Sequence, residues 1–228
     1  MEDLEELKKV LAEDGPDAVI ERLQAHDDPR AAPILFSMLA QYSHFELKQV
    51  PVMIELAQTG IAYAQQRADA ADPGSEEATY FLERVKAMSF NLAANTWPGW
   101  GDDVELGEAE LAIGMEAARN HTATVDKLGL GPDKRGVSQW IVGAHELAAG
   151  NLEAARGHFT RARQLATEAK SEASVKLADG YLAIVDVLQG APGARERLDA
   201  VIAHFAARDD EDSRIYGGQL RTALAAFE

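Results

Sequence analysis

Residues Val137 to Glu168, VSQWIVGAHELAAGNLEAARGHFTRARQLATE, constrain this chain more than any other stretch. Trp140, Gly143, Ala144 and Leu147 recur three to four residues apart, and Leu152, Ala155, Phe159 and Ala162 do the same beyond Ala149-Gly150-Asn151. That spacing lays one apolar stripe on each of two helices. A turn of only a few residues forces the two to run antiparallel. Small residues (Gly143, Ala144, Ala155, Ala162) set among large ones (Trp140, Phe159) let the helix axes approach closely and interdigitate. The stretch therefore predicts a helical hairpin.

The same signals recur along the chain. A first helix spans 2–13, with Leu4, Leu7, Val10 and Leu11 as its stripe, and Asp14-Gly15 stops it. Pro16 suits the opening turn of a second helix that ends near Gln24. Residues 30–43 are mostly apolar, which places that helix centrally in its layer. Pro51 predicts a break near Gln49–Pro51. Long helices follow over 52–71, 75–95 and 104–128, separated by Asp72-Pro73-Gly74 and by a loop rich in Trp, Pro and Gly. After the hairpin come 171–188, 194–207 and 212–227. No stretch reads as a strand. Ten or eleven helices in consecutive pairs predict an all-α fold, an α-solenoid built of antiparallel hairpins in one helical domain over residues 1–228.

The hairpin resembles the tetratricopeptide repeat. Gly143, Gly150-Asn151, Ala155, Phe159 and Ala162 stand at that family's small, turn, small, aromatic and small positions. Trp140 and Leu147 are each one residue out of register, and the closing proline is missing. The best repeat is 137–168, and a degenerate copy lies within 171–207, with Gly190 as its turn. The helices of 1–128 diverge, being longer than the family's unit of about 34 residues allows. The resemblance implies a protein-interaction scaffold with a concave groove; it does not imply catalysis.

Charge narrows the choice of partner. With 22 basic and 38 acidic residues the net charge is −16, so nucleic acid and anionic membranes are disfavoured. Residues 1–28 carry ten carboxylates against Lys8, Lys9 and Arg22, a solvated acidic face rather than a lure for a basic partner. Cysteine is absent, which removes disulfides and thiolate chemistry and fits a reducing compartment. No signal-type N-terminus and no run of about 18 apolar residues is found, so a soluble cytoplasmic protein is expected.

The six histidines form no metal-ligand pattern, and no Gly-rich or serine motif has the context that phosphate binding or hydrolysis needs. No cofactor is expected. Arg156, Arg161 and Arg163 form a modest basic patch, read as a solvated face. The functional candidate is the loop Trp97-Pro98-Gly99-Trp100-Gly101-Asp102-Asp103. Exposed tryptophans in such a loop can anchor a partner; alternatively both rings tuck under and plug the junction of two helical layers. Gln139 and His145, on the first helix of the hairpin, are candidates for a groove lining. The expected function is a protein- or peptide-binding helical-repeat scaffold, not an enzyme, binding through Trp97, Trp100, Gln139 and His145. The alternative is an all-α small-molecule-binding or enzymatic domain with a pocket near Trp97 and Trp100. A homo-oligomer is a further alternative.

Overall fold

The computed structural model describes residues 4–101 and 104–228. Among these, eleven α-helices and one 3-10 turn form, and no strand does. The helices are α1 (Leu4–Asp14), α2 (Pro16–Gln24), α3 (Ala31–Phe45), α4 (Val50–Ala70), α5 (Glu76–Asn95), α6 (Glu108–Lys127), α7 (Pro132–Ala148), α8 (Leu152–Glu168), α9 (Glu172–Leu188), α10 (Ala194–Ala206) and α11 (Glu211–Phe227). The chain divides into two compact units, Met1–Asn95 and Thr96–Glu228. Within each unit every helix packs on its neighbour in the chain, the solenoid-like arrangement that the paired stripes predict.

In the first unit α2 reaches past α3 to touch α4. The core is built from Leu7 of α1, Val19 and Leu23 of α2, Phe36 and Leu39 of α3, Leu56 and Ala64 of α4, and Phe81 and Val85 of α5. Gly60 is the point of closest approach. A Cβ there would sit 2.7 Å from the Phe36 Cβ and 3.0 Å from the Met88 Sδ, so α3, α4 and α5 close together only around a glycine. The expected break at Gln49–Pro51 falls where α4 begins. Lys48 takes a left-handed φ of 56°, and Pro51 then sits in the first turn, where its missing N–H costs nothing. The expectation that α3 is central fails on one side. Ile34, Met38 and Phe45 are 40%, 43% and 52% exposed, because high apolar content says nothing about how many faces find neighbours.

In the second unit the helices α6 to α9 end alike. After each, the N–H two residues past the cap bonds five residues back: Leu130 to Val125, Asn151 to Glu146, Ser171 to Ala166 and Ala191 to Asp186, at 2.9–3.2 Å. The residue before it is left-handed each time, namely Gly129, Gly150, Lys170 and Gly190. These are Schellman caps, at steps of 21, 20 and 20 residues. Lys170 hides the third of them from a search for glycine. At Gly143 a Cβ would meet the Phe159 ring at 2.9 Å, which is the close α7–α8 approach that the hairpin's small residues predict. Helix α6 starts at Glu108, later than expected, where the Glu110 carboxylate accepts the Gly107 N–H at 2.9 Å; α7 starts earlier, at Pro132. Asp102 and Asp103 lie outside the described residues.

A polar brace ties three helices of this unit. The Asp186 carboxylate on α9 accepts from Arg156 of α8 at 2.6 Å and from Arg197 of α10 at 2.8 Å. Burial pushes this carboxyl up, but the hydrogen bonds from Arg197 and Arg156 outweigh it and hold it below its ordinary value. A carboxyl depressed in the folded state adds stability above its unfolded pKa of about 3.9 and loses it as pH falls through the folded value. Asp186→Asn is therefore expected to cost about 1–2 kcal/mol at neutral pH, and less as acidification protonates the carboxyl in the folded state. Urea midpoints at neutral and acid pH check this; equal midpoints for variant and wild type at neutral pH would show the brace to be energetically silent.

Candidate functional site

Trp97 opens the second unit's core. It is extended, and Pro98 starts a 3-10 turn over Pro98–Trp100 that Gly101 closes at a left-handed φ of 72°. A Cβ on Gly99 would lie 2.2 Å from the Trp97 ring, so only glycine lets this turn fold across the indole. Trp97 is 1% exposed, and its indole N–H donates to the Ala144 carbonyl at 2.9 Å. Trp100 and Trp140 meet the ring edge-on at 5.1 and 5.8 Å, and Tyr181 and Phe227 lie at 6.2 and 6.1 Å. Tyr181 stacks on Phe159 at 4.8 Å and accepts from the Gln219 amide at 2.7 Å. Its burial pushes the phenol far above its ordinary pKa, so it stays neutral. The rings fill the space around one another. Trp97 is thus buried in this unit's core, while Trp100 is only half-buried against it.

The other candidates separate. His145 is 2% exposed and faces inward beside Thr96, at the place where α6 crosses on Gly114. Gln139 is half-buried, bonded to the His158 Nδ1 at 2.9 Å, beside a cleft of about 50 Å³. Trp100 is half-buried against Trp97 and Trp140. Trp97 and Trp100 are thus brought together, while His145 is buried near Thr96 and Gly114 and Gln139 bonds His158. The arginine patch is engaged within the chain: Arg156 with Asp186, Arg161 with Glu168 at 3.9 Å, Arg163 with Asp179 at 2.7 Å. Among the described residues no group of three or more His, Asp or Glu converges as a metal site would require, and no helix is long and apolar enough to cross a membrane.

An open groove lies in the first unit, where sequence reasoning did not look. It has a volume of about 790 Å³ and is open to solvent rather than enclosed. Its lining runs down one face of α4 through Gln58, Thr59, Ala62, Tyr63, Gln66, Arg67 and Ala70, with Gln24 of α2 opposite. Tyr63 is 8% exposed, and its hydroxyl has no hydrogen-bond partner among the described residues. The Arg67 guanidinium stands 5.2 Å above the Tyr63 ring, with no carboxylate in ion-pair range among the described residues. From sequence these glutamines read as an ordinary solvated helix face. The contact of α2 with α4, which makes that face a wall, joins segments some forty residues apart and leaves no local mark.

Compared with known protein families, with curated proteins and with solved structures, the chain shows no match to any of the three.

Proposed function

We propose that this protein is a peptide-binding helical-repeat scaffold, with the α2–α4 groove as its binding surface. The observation that carries this reading is the groove itself. Twelve residues of α4 separate Gln58 from Ala70, which at 1.5 Å per residue is about 18 Å of helix, enough for five or six residues of extended chain. A small-molecule pocket surrounds its ligand; this one is long, open and lined by the amides of Gln24, Gln58 and Gln66 and by Thr59, groups that suit a backbone of N–H and C=O. The second unit is read as a divergent tetratricopeptide-like array, supported by the Gly143–Phe159 packing and the recurrent caps. Its hairpins repeat every 40 or 41 residues, against about 34 in that family. The lack of cysteine supports action in the cytoplasm.

The test is selection from a random decamer library displayed on phage, followed by anisotropy measurements with synthetic copies of the selected peptides. Ala62 is exposed at mid-groove, so Ala62→Trp should fill the site without disturbing the core. Selected peptides are expected to bind wild type and to lose at least tenfold in affinity to the filled variant. Failure to select any peptide, or equal binding to Ala62→Trp, would sink the proposal.

A further inference from the structure

We infer that the groove selects a peptide bearing a carboxylate and holds it on Arg67; the inference rests on the peptide-binding reading above and specifies its partner. The chain carries 38 acidic residues, yet none of the eight that line the groove is acidic. Arg67 is the one charged residue in that lining. That guanidinium has no carboxylate of its own among the described residues, whereas Arg156, Arg163 and Arg197 each have one at 2.6–2.8 Å. It is also held in place. Its stacking partner Tyr63 is 8% exposed, and an arginine laid over an immobile ring keeps its planar N–H fork free to take both oxygens of a carboxylate.

The neighbouring groups argue for a peptide rather than a free small acid. Gln58 and Gln66 are eight residues apart on α4, about 12 Å along its axis, and that matches three to four residues of extended chain. Each amide offers a donor and an acceptor, the pair that a peptide unit needs. None of Gln24, Gln58 or Gln66 makes a side-chain hydrogen bond to another described residue. A lone arginine–carboxylate contact open to water contributes little by itself. A ligand that also engages the amides gains what a small acid cannot.

The library is panned in parallel on the full-length wild type, Arg67→Gln, Arg67→Lys and Arg67→Glu, with circular dichroism confirming that each variant is folded. Wild type is expected to enrich peptides with Asp or Glu at one recurring position. Changing that acid to Asn or Gln, or Arg67 to Gln, should weaken binding about five- to tenfold, Arg67→Lys, which keeps the charge but loses the fork, should retain only part of it, and Arg67→Glu should enrich Lys or Arg at the same position. Peptides with no recurring acid that are still excluded by Ala62→Trp would overturn this inference and leave the scaffold reading standing. Acidic peptides indifferent to Arg67→Gln, or displaced equally well by millimolar sodium glutamate, would also overturn it. A library that yields nothing brings down both readings.

Discussion

Replacing Trp97 with alanine is expected to destabilise the second unit by about 4–5 kcal/mol, the upper range for deleting a buried aromatic ring. The indole is 1% exposed and touches the rings of Trp100, Trp140, Tyr181 and Phe227. Those side chains come from the 3-10 turn, α7, α9 and α11, so the loss is shared by four elements at once. Relaxation cannot close such a gap cheaply, because Gly99 has shaped the turn to the indole's outline. Trp97→Phe refills part of the volume but removes the N–H that donates to Ala144; a cost of about 2 kcal/mol is expected. The readout is clean because all three tryptophans (Trp97, Trp100, Trp140) belong to the second unit. Urea unfolding followed by the fluorescence of Trp100 and Trp140 reports that unit alone. A cost for the alanine variant below about 1.5 kcal/mol would contradict the packing described.

Gly114→Ala should be destabilising by about 2–3 kcal/mol, although the same change in an exposed helix ordinarily stabilises by about 1 kcal/mol. The sign turns on what the new methyl meets. It would lie 2.2 Å from the Thr96 Oγ1 and 2.3 Å from the His145 Cε1, and both residues are buried, at 0% and 2% exposure. Neither can withdraw into solvent, so α6 must shift or a buried polar group must lose its geometry. Gly157, in the middle of α8, is the internal control, since a Cβ there meets nothing within 4 Å. Gly157→Ala is expected to stabilise by about 0.5–1 kcal/mol. Thermal and urea unfolding of the pair should move in opposite directions; movement in the same direction would remove the close approach of α6 as an explanation.

These two glycines also show where sequence reading stops. Nothing in the residues around Gly114 and Gly157 tells one from the other, because the difference is made by Thr96 and His145, which arrive from elsewhere in the chain. The same holds for Trp97. Its loop is as compatible with an exposed anchor as with a plug, and α7, α9 and α11 decide between them. His145 and Gln139 sit six residues apart on one helix, yet one is enclosed beside Thr96 and the other bonds His158 across the α7–α8 contact.

What the amino-acid sequence determined by itself is the local part: the all-helical class, the apolar stripes, and most helix ends, because spacing and turn chemistry act within a few residues. It also carried the close approach of α7 and α8, since Gly143 and Phe159 are brought together by a single short turn. Tertiary structure alone decided which stripes are covered on both sides, which loop residues are buried, and that Lys170 completes a series of caps begun by Gly129 and Gly150. It alone made the groove, because a face of glutamines becomes the wall of a groove only when another helix stands across from it. The free energy that places α2 against α4 comes from burying Val19 and Leu23 in a shared core, a long-range gain that no local pattern of residues encodes.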